Sequence, residues 1–337
     1  MAQYFTERLQ KVFHMIFRSY NQKAAQEGLR QLELIVNNQL DAVSADHRAL
    51  RNDMSTLLES EINSKEDALR IANDPEAREL GDAYALLARV YAGPRFTWEE
   101  SNFPEDNMRT YQCLHDSIRR CSPIGTLQAL RIKGSITPTV EKDMQISFDD
   151  AFRIVHDYAE QDDAYCQYVI GNVFFWRDDN RIEAAKDMIM PPPLSLAKRI
   201  QRSLQSGSIH DRIAALQGTI PDEKLQENAS ELAKRWLNKA LYNGLAMFQG
   251  NLRNIYIDEG DFENARRVAR TAANLGNPAM MLYTGLDCHE NGNFEDAFTW
   301  FTKAAALGQS ESIAELADYY YHFYDAKELR STIPYDP

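Results

Sequence analysis

The sequence predicts an all-α protein, an α-solenoid of helix-turn-helix repeats with an N-terminal helical bundle or cap. The first ground is composition: 337 residues with 44% hydrophobic and 10% aromatic side chains are ample for a buried core. The second is the choice of residues. Gly (15) and Pro (12) are few, runs of Val, Ile and Thr are scarce, and the helix formers Ala, Leu, Gln, Glu and Arg dominate. The third is an internal period. Gly244, Gly276 and Gly308 stand 32 residues apart, as do Ala240, Ala272 and Ala304, and Trp236, Val268 and Trp300.

Each position of the unit has a physical role. Asp258-Glu259-Gly260-Asp261 and Glu290-Asn291-Gly292-Asn293 have the form of a helix end, a left-handed glycine and a new N-cap. Phe262 and Phe294 then fall near the start of the second helix. Ala265, Ala269, Ala272 and Ala273, like Ala297, Ala304 and Ala305, form small-residue faces that let two helices approach closely. Asn274-Leu275-Gly276 closes that helix, and Asn277-Pro278 opens the next with a cap and a first-turn proline.

The segment Ala279-Met-Met-Leu-Tyr-Thr-Gly followed by Asn291-Gly-Asn-Phe-Glu-Asp-Ala297 and Lys303-Ala-Ala-Ala-Leu-Gly308 resembles a Sel-one-like repeat. That family is related to the tetratricopeptide repeats. The preceding unit keeps the frame with Arg270-Thr-Ala-Ala-Asn-Leu-Gly276, and Lys239-Ala-Leu-Tyr-Asn-Gly244 keeps less of it. The period of 32 is shorter than the family's usual repeat, which requires a trimmed loop between helices. The resemblance implies a non-enzymatic scaffold or adaptor in multiprotein assemblies, often bacterial ones, with other proteins as partners and no cofactor.

Taken in order, residues 1–75 hold amphipathic helices outside the repeat. Phe5, Leu9, Val12, Phe13, Ile16, Phe17 and Tyr20 recur every three or four positions, as do Leu29, Leu32, Ile35, Val36, Leu40 and Val43, and then Leu50, Met54, Leu57 and Ile62. They read as a helical cap. The alternatives are self-association or docking on a partner through these helices, and peripheral membrane contact through residues 1–20. Residues 76–186 read as degenerate repeats. Phe148-Asp-Asp-Ala151-Phe152 parallels Phe294-Glu-Asp-Ala297-Phe298, and Asp82–Tyr91 with Tyr111–Arg120 suggests a further unit. Between them the aromatic-rich loop with Phe96, Trp98 and Phe103 either folds back on the core or presents a binding patch. Pro191-Pro192-Pro193 excludes a continuous helix and marks residues 187–225 as a linker or insertion. The clearer repeats occupy 226–325 and a tail 326–337. Tyr319-Tyr-Tyr-His322-Phe323-Tyr324 remains aromatic where a terminal solenoid helix normally turns polar.

The net charge of −13 disfavours general nucleic-acid binding. The basic clusters Lys198, Arg199, Arg202 and Arg266, Arg267, Arg270 read as solvated helix faces. Cys113, Cys121, Cys166 and Cys288 have no paired spacing and read as reduced thiols of a cytoplasmic protein. No apolar run reaches the roughly 18 residues that span a bilayer.

Catalytic and metal residues are expected to be absent. There is no HExxH, no nucleotide-binding glycine loop and no GxSxG elbow. Cys288-His289-Glu290 points three ways on a helix, and Asp149-Asp150 and Asp162-Asp163 suit helix starts. The candidate partner-binding residues are Asn251, Asn254, Tyr256, Tyr283, Asp287, Tyr319, Tyr320 and Phe323, polar or aromatic residues on helices otherwise built for packing. A structural subunit of a larger machine, such as a bacterial secretion or envelope complex, is the alternative function. A hydrolase with an unrecognised site is a minor one.

Overall fold

Helix-forming composition with regularly placed breakers yields a chain of short helices, most joined by tight turns. The computed structural model describes residues 3–41, 62, 64–93, 97–98, 101–103, 105–133, 144–175, 229–247 and 249–323. Within them lie fourteen α-helices and no strand. The first half holds α1 (Glu7–Phe17), α2 (Gln22–Asp41), α3 (Lys65–Asn73), α4 (Pro75–Tyr91), α5 (Asn107–Arg119), α6 (Pro123–Lys133), α7 (Phe148–Glu160) and α8 (Ala164–Phe175). The second holds α9 (Ala229–Tyr242), α10 (Gly250–Asp258), α11 (Phe262–Asn274), α12 (Pro278–Glu290), α13 (Phe294–Ala306) and α14 (Ser310–Asp318), followed by a π turn, Tyr319–Phe323. Leu50, Met54 and Leu57 of the third N-terminal apolar pattern, the triple proline and the cluster at Lys198 lie outside the described residues.

Five turns share one backbone path and reveal the repeat. Each ends a helix with a left-handed residue: Cys121 (φ 57°), Asp162 (φ 67°), Gly244 (φ 82°), Gly276 (φ 101°) and Gly308 (φ 93°). The next residue's N–H returns to a carbonyl five positions back, Ser122 to Ser117, Asp163 to Tyr158, Leu245 to Ala240, Asn277 to Ala272 and Gln309 to Ala304, at 2.9–3.2 Å. That same residue then caps the following helix in four cases. Ser122 accepts from the Gly125 N–H, Asp163 from Cys166, Asn277 from Met280 and Gln309 from Ser312. Leu245 has no side chain that caps, and α10 begins only at Gly250. The turns inside hairpins, at Gly260 (φ 75°) and Gly292 (φ 76°), follow the same path.

Every helix from α3 to α14 packs on its neighbour in the chain. This includes α8 and α9, which residues 176–228 separate in sequence, so the packing of helix on helix is continuous across that interval. Gly171 makes that junction: a Cβ there would meet the Leu237 Cγ at 2.7 Å and the Leu237 backbone nitrogen at 3.1 Å. The small-residue faces are buried as the period requires, Ala265, Ala269, Ala272 and Ala273 on α11 and Ala297 and Ala304 on α13. The aromatic loop folds back, with Trp98 and Phe103 buried and the Trp98 Nε1 donating to the Ile16 carbonyl at 2.9 Å.

The N-terminal cap takes a particular form. Leu9, Val12, Phe13, Ile16 and Phe17 on α1 are all buried, and they share one core with the array up to Ala304. α1 lies along the row of turns between hairpins, and α2 packs beside it against α4. Among the alternatives for residues 1–20, peripheral membrane contact loses its apolar face, since the side chains of the apolar pattern from Phe5 to Tyr20 are buried against the array. No helix among the described residues is long and apolar enough to cross a membrane.

Candidate interaction surface

The residues proposed from sequence divide into surface and interior. On α10, Asn251 is half-buried and donates from Nδ2 to Asn172 Oδ1 at 2.9 Å, while Asn254 is exposed. Tyr256 is interior: only 8% exposed, its hydroxyl accepts from Asn238 Nδ2 at 2.9 Å. On α12, Tyr283 is 37% exposed. Asp287, one turn further, pairs with Arg266 of α11 at 3.6 Å. Tyr319 is buried among Phe298 and Phe301 with its hydroxyl 2.8 Å from His289 Nδ1, and burial pushes its phenol up to about 12. Tyr256 and Tyr319 therefore hold helices together and are not available to a partner. Tyr320 is exposed with its ring edge-on to Phe298 at 5.8 Å, and Phe323 closes the π turn with its side chain outside the described residues.

The structure adds a residue that sequence reading missed. The Arg253 guanidinium lies over the Tyr283 ring at 3.9 Å, joining α10 to α12 across a solvent-facing surface. Its sequence signal is spacing: Arg253 precedes Tyr283 by slightly less than one period, which places it one hairpin earlier at similar height. An arginine held flat on a tyrosine is fixed in position yet keeps its N–H fork, and these two residue types dominate binding energy at protein interfaces. The rim is the Asp287–Arg266 pair. Ile313 (52% exposed), which the sequence reading did not name, and Tyr321 (83% exposed), in the aromatic end that it did, extend the exposed apolar surface at the far end of the array.

The residues considered for chemistry are engaged structurally. Cys113 and Cys121 are buried thiols pushed up to about 12 by desolvation, and Cys166 is raised for the same reason. Cys288 accepts from Arg270 Nη2 at 3.7 Å. His115 contacts the Tyr111 hydroxyl at 3.1 Å, and His156 stacks on Phe152 beside Trp236. Among the described residues no three His, Cys, Asp or Glu side chains gather as metal ligands.

Fold and surface together define a class, a helical-hairpin repeat array, and the five matched turns carry that assignment. No protein-family profile matches this chain, and no curated protein matches it. Among solved structures, a Sel1 repeat protein from Oxalobacter formigenes is 16% identical over 92% of this chain and 85% of that one, with a TM-score of 0.25.

Proposed function

We propose that the array is a non-enzymatic scaffold or adaptor that binds a segment of a partner protein across α10 and α12. The observation that carries this reading is the Arg253–Tyr283 stack on an exposed face, flanked by Asn254 and the Asp287–Arg266 pair. A partner lays an apolar or aromatic side chain beside Tyr283 and accepts hydrogen bonds from the free edge of Arg253.

The test is affinity capture from the native cell with wild type and with the double variant Arg253→Ala/Tyr283→Ala. Loss of about tenfold in a captured partner, with circular dichroism and melting unchanged, supports the surface; a hot-spot pair of this kind contributes at least that much. Undiminished capture by the folded variant would refute it. The exposed Ile313, Tyr320 and Tyr321 favour a second reading, a permanent subunit of a larger assembly. In that case capture is stoichiometric and is lost on Ile313→Ser/Tyr321→Ser instead.

A further inference from the structure

Residues 3–20 relate to the array in a way their burial alone does not describe. The helices α3 to α9 pack each on the next, whereas α1 packs mainly on α2 and touches α4. The N-terminal segment also lies across four successive turns. Its start meets the turns at Ser122–Ile124 and Asp163–Tyr165, and its end meets those at Asn243–Gly244 and Gly276.

The contacts at the start read a peptide atom by atom. Tyr4 precedes the helix, and both of its backbone groups are held by array side chains: its N–H donates to Asp163 Oδ2 at 3.0 Å and its carbonyl accepts from Arg78 Nη2 at 2.7 Å. Its hydroxyl donates to Asp82 Oδ1 at 3.2 Å and accepts from the Ile124 N–H at 3.3 Å, while its ring lies under the Arg78 guanidinium at 4.1 Å. Thr6 caps α1 through the Leu9 N–H and donates from its hydroxyl to Glu79, which also pairs with Arg8. At the other end Arg18 donates to the carbonyls of Asn243 and Gly244.

The cradle itself is costly to build. Arg78 and Asp82 are 0% and 1% exposed, and an apolar pair of the same volume would serve stability as well or better. One use of a buried charged pair is to fix register, and here Arg78 and Asp82 hold the carbonyl and the hydroxyl of one residue, Tyr4. The outer face of α1, with Glu7, Lys11 and His14, remains open to solvent while α2 flanks it, so the segment lies like a helix in a groove with α2 as its second wall.

We infer that the row of turns is a peptide-binding groove filled in cis, and that its ligand is a short extended Tyr-x-Thr element continuing into an amphipathic helix. Residues 3–20 are its resident occupant. The segment runs into α2 at the exposed Asn21, and a peptide of the same pattern from a second chain enters only by displacing it.

The test uses the full chain with a protease site inserted between Asn21 and Gln22, and the uncleaved insertion protein as its folding control. The probe is a fluorescent synthetic peptide of residues 1–21. After cleavage and dilution the array keeps its helical signal and a cooperative melt, and it takes up the labelled peptide saturably. The peptide carrying Tyr4→Phe binds about tenfold more weakly, since it removes one buried hydrogen-bonding group. Three results would overturn the inference. They are loss of array helicity once the segment departs, failure of the peptide to exchange, and equal binding of the Tyr4→Phe peptide.

Discussion

The junction between α8 and α9 decides whether the chain is one array or two, and Gly171 tests it. An alanine there places its Cβ 2.7 Å from Leu237 Cγ, 2.8 Å from Cδ2 and 3.1 Å from the backbone nitrogen. Carbon atoms in contact rest at about 3.5–4.0 Å, so each carbon contact overlaps by close to 1 Å. Leu237 is fully buried, and its backbone yields only if α9 shifts as a whole. Overpacking of this kind costs about 1–3 kcal/mol, and the gain from replacing glycine within a helix returns about 1 kcal/mol. Gly171→Ala should therefore destabilise by up to roughly 2 kcal/mol in urea unfolding followed by circular dichroism. Gly250→Ala is the control, with nothing within 4 Å of the new Cβ, and should be neutral or slightly stabilising. Leu237→Ala alone opens a cavity costing about 2–5 kcal/mol, yet it also removes two of the three clashes. In the double variant the total should fall short of the sum by about 1 kcal/mol or more. Strict additivity, or a stabilising Gly171→Ala, would refute direct packing of the two halves at this point.

Two further predictions follow from buried polar groups and from backbone geometry. Burial raises Asp82 to about 6 against an ordinary value of 3.8, despite Arg78, Ser122 and Tyr4 around it and with Cys166, Tyr158 and Asp163 near the same cluster. The folded state thus holds this proton through a window where the unfolded chain has lost it. The contribution of Asp82 is largest below about pH 4 and declines as pH rises through 6, by at most about 1.4 kcal/mol per pH unit. The difference in unfolding free energy between wild type and Asp82→Asn, measured from pH 4 to 7, should show that slope; a flat difference would remove Asp82 as its source. For the turns, Gly276→Ala forces a side chain onto φ 101° and against Tyr20, so it should cost about 1–2 kcal/mol, whereas Asp162→Gly relieves a left-handed residue and should gain up to about 1 kcal/mol by thermal melting. Equal effects of the two would contradict a shared turn geometry.

The array was legible where local chemistry repeats itself. Gly244, Gly276 and Gly308 announce their turns because glycine is the residue that enters the left-handed region without strain. Asn277-Pro278 and the alanine faces of α11 and α13 are equally local signals, and all stand where the period places them. Upstream the same turn is made by Cys121 and Asp162, whose identities do not declare it. There the apolar pattern of Phe148–Phe152 was the readable trace, and the hydrogen bonds of the turn supplied the rest.

The surface was only partly legible, since periodicity ranks positions on a helix but does not say which neighbour covers them. Tyr256 and Tyr283 look alike in sequence. Asn238 claims the first, and Arg253 leaves the second open. By itself the sequence determined the helices, their caps and the period, all consequences of contacts within a few residues. Tertiary structure alone decided that α8 meets α9 across residues 176–228, that Trp98 turns inward, and that α1 lies along the turns with Tyr4 between Arg78 and Asp82. Those depend on groups more than fifty residues apart, where an apolar face specifies that it must be buried but not by what.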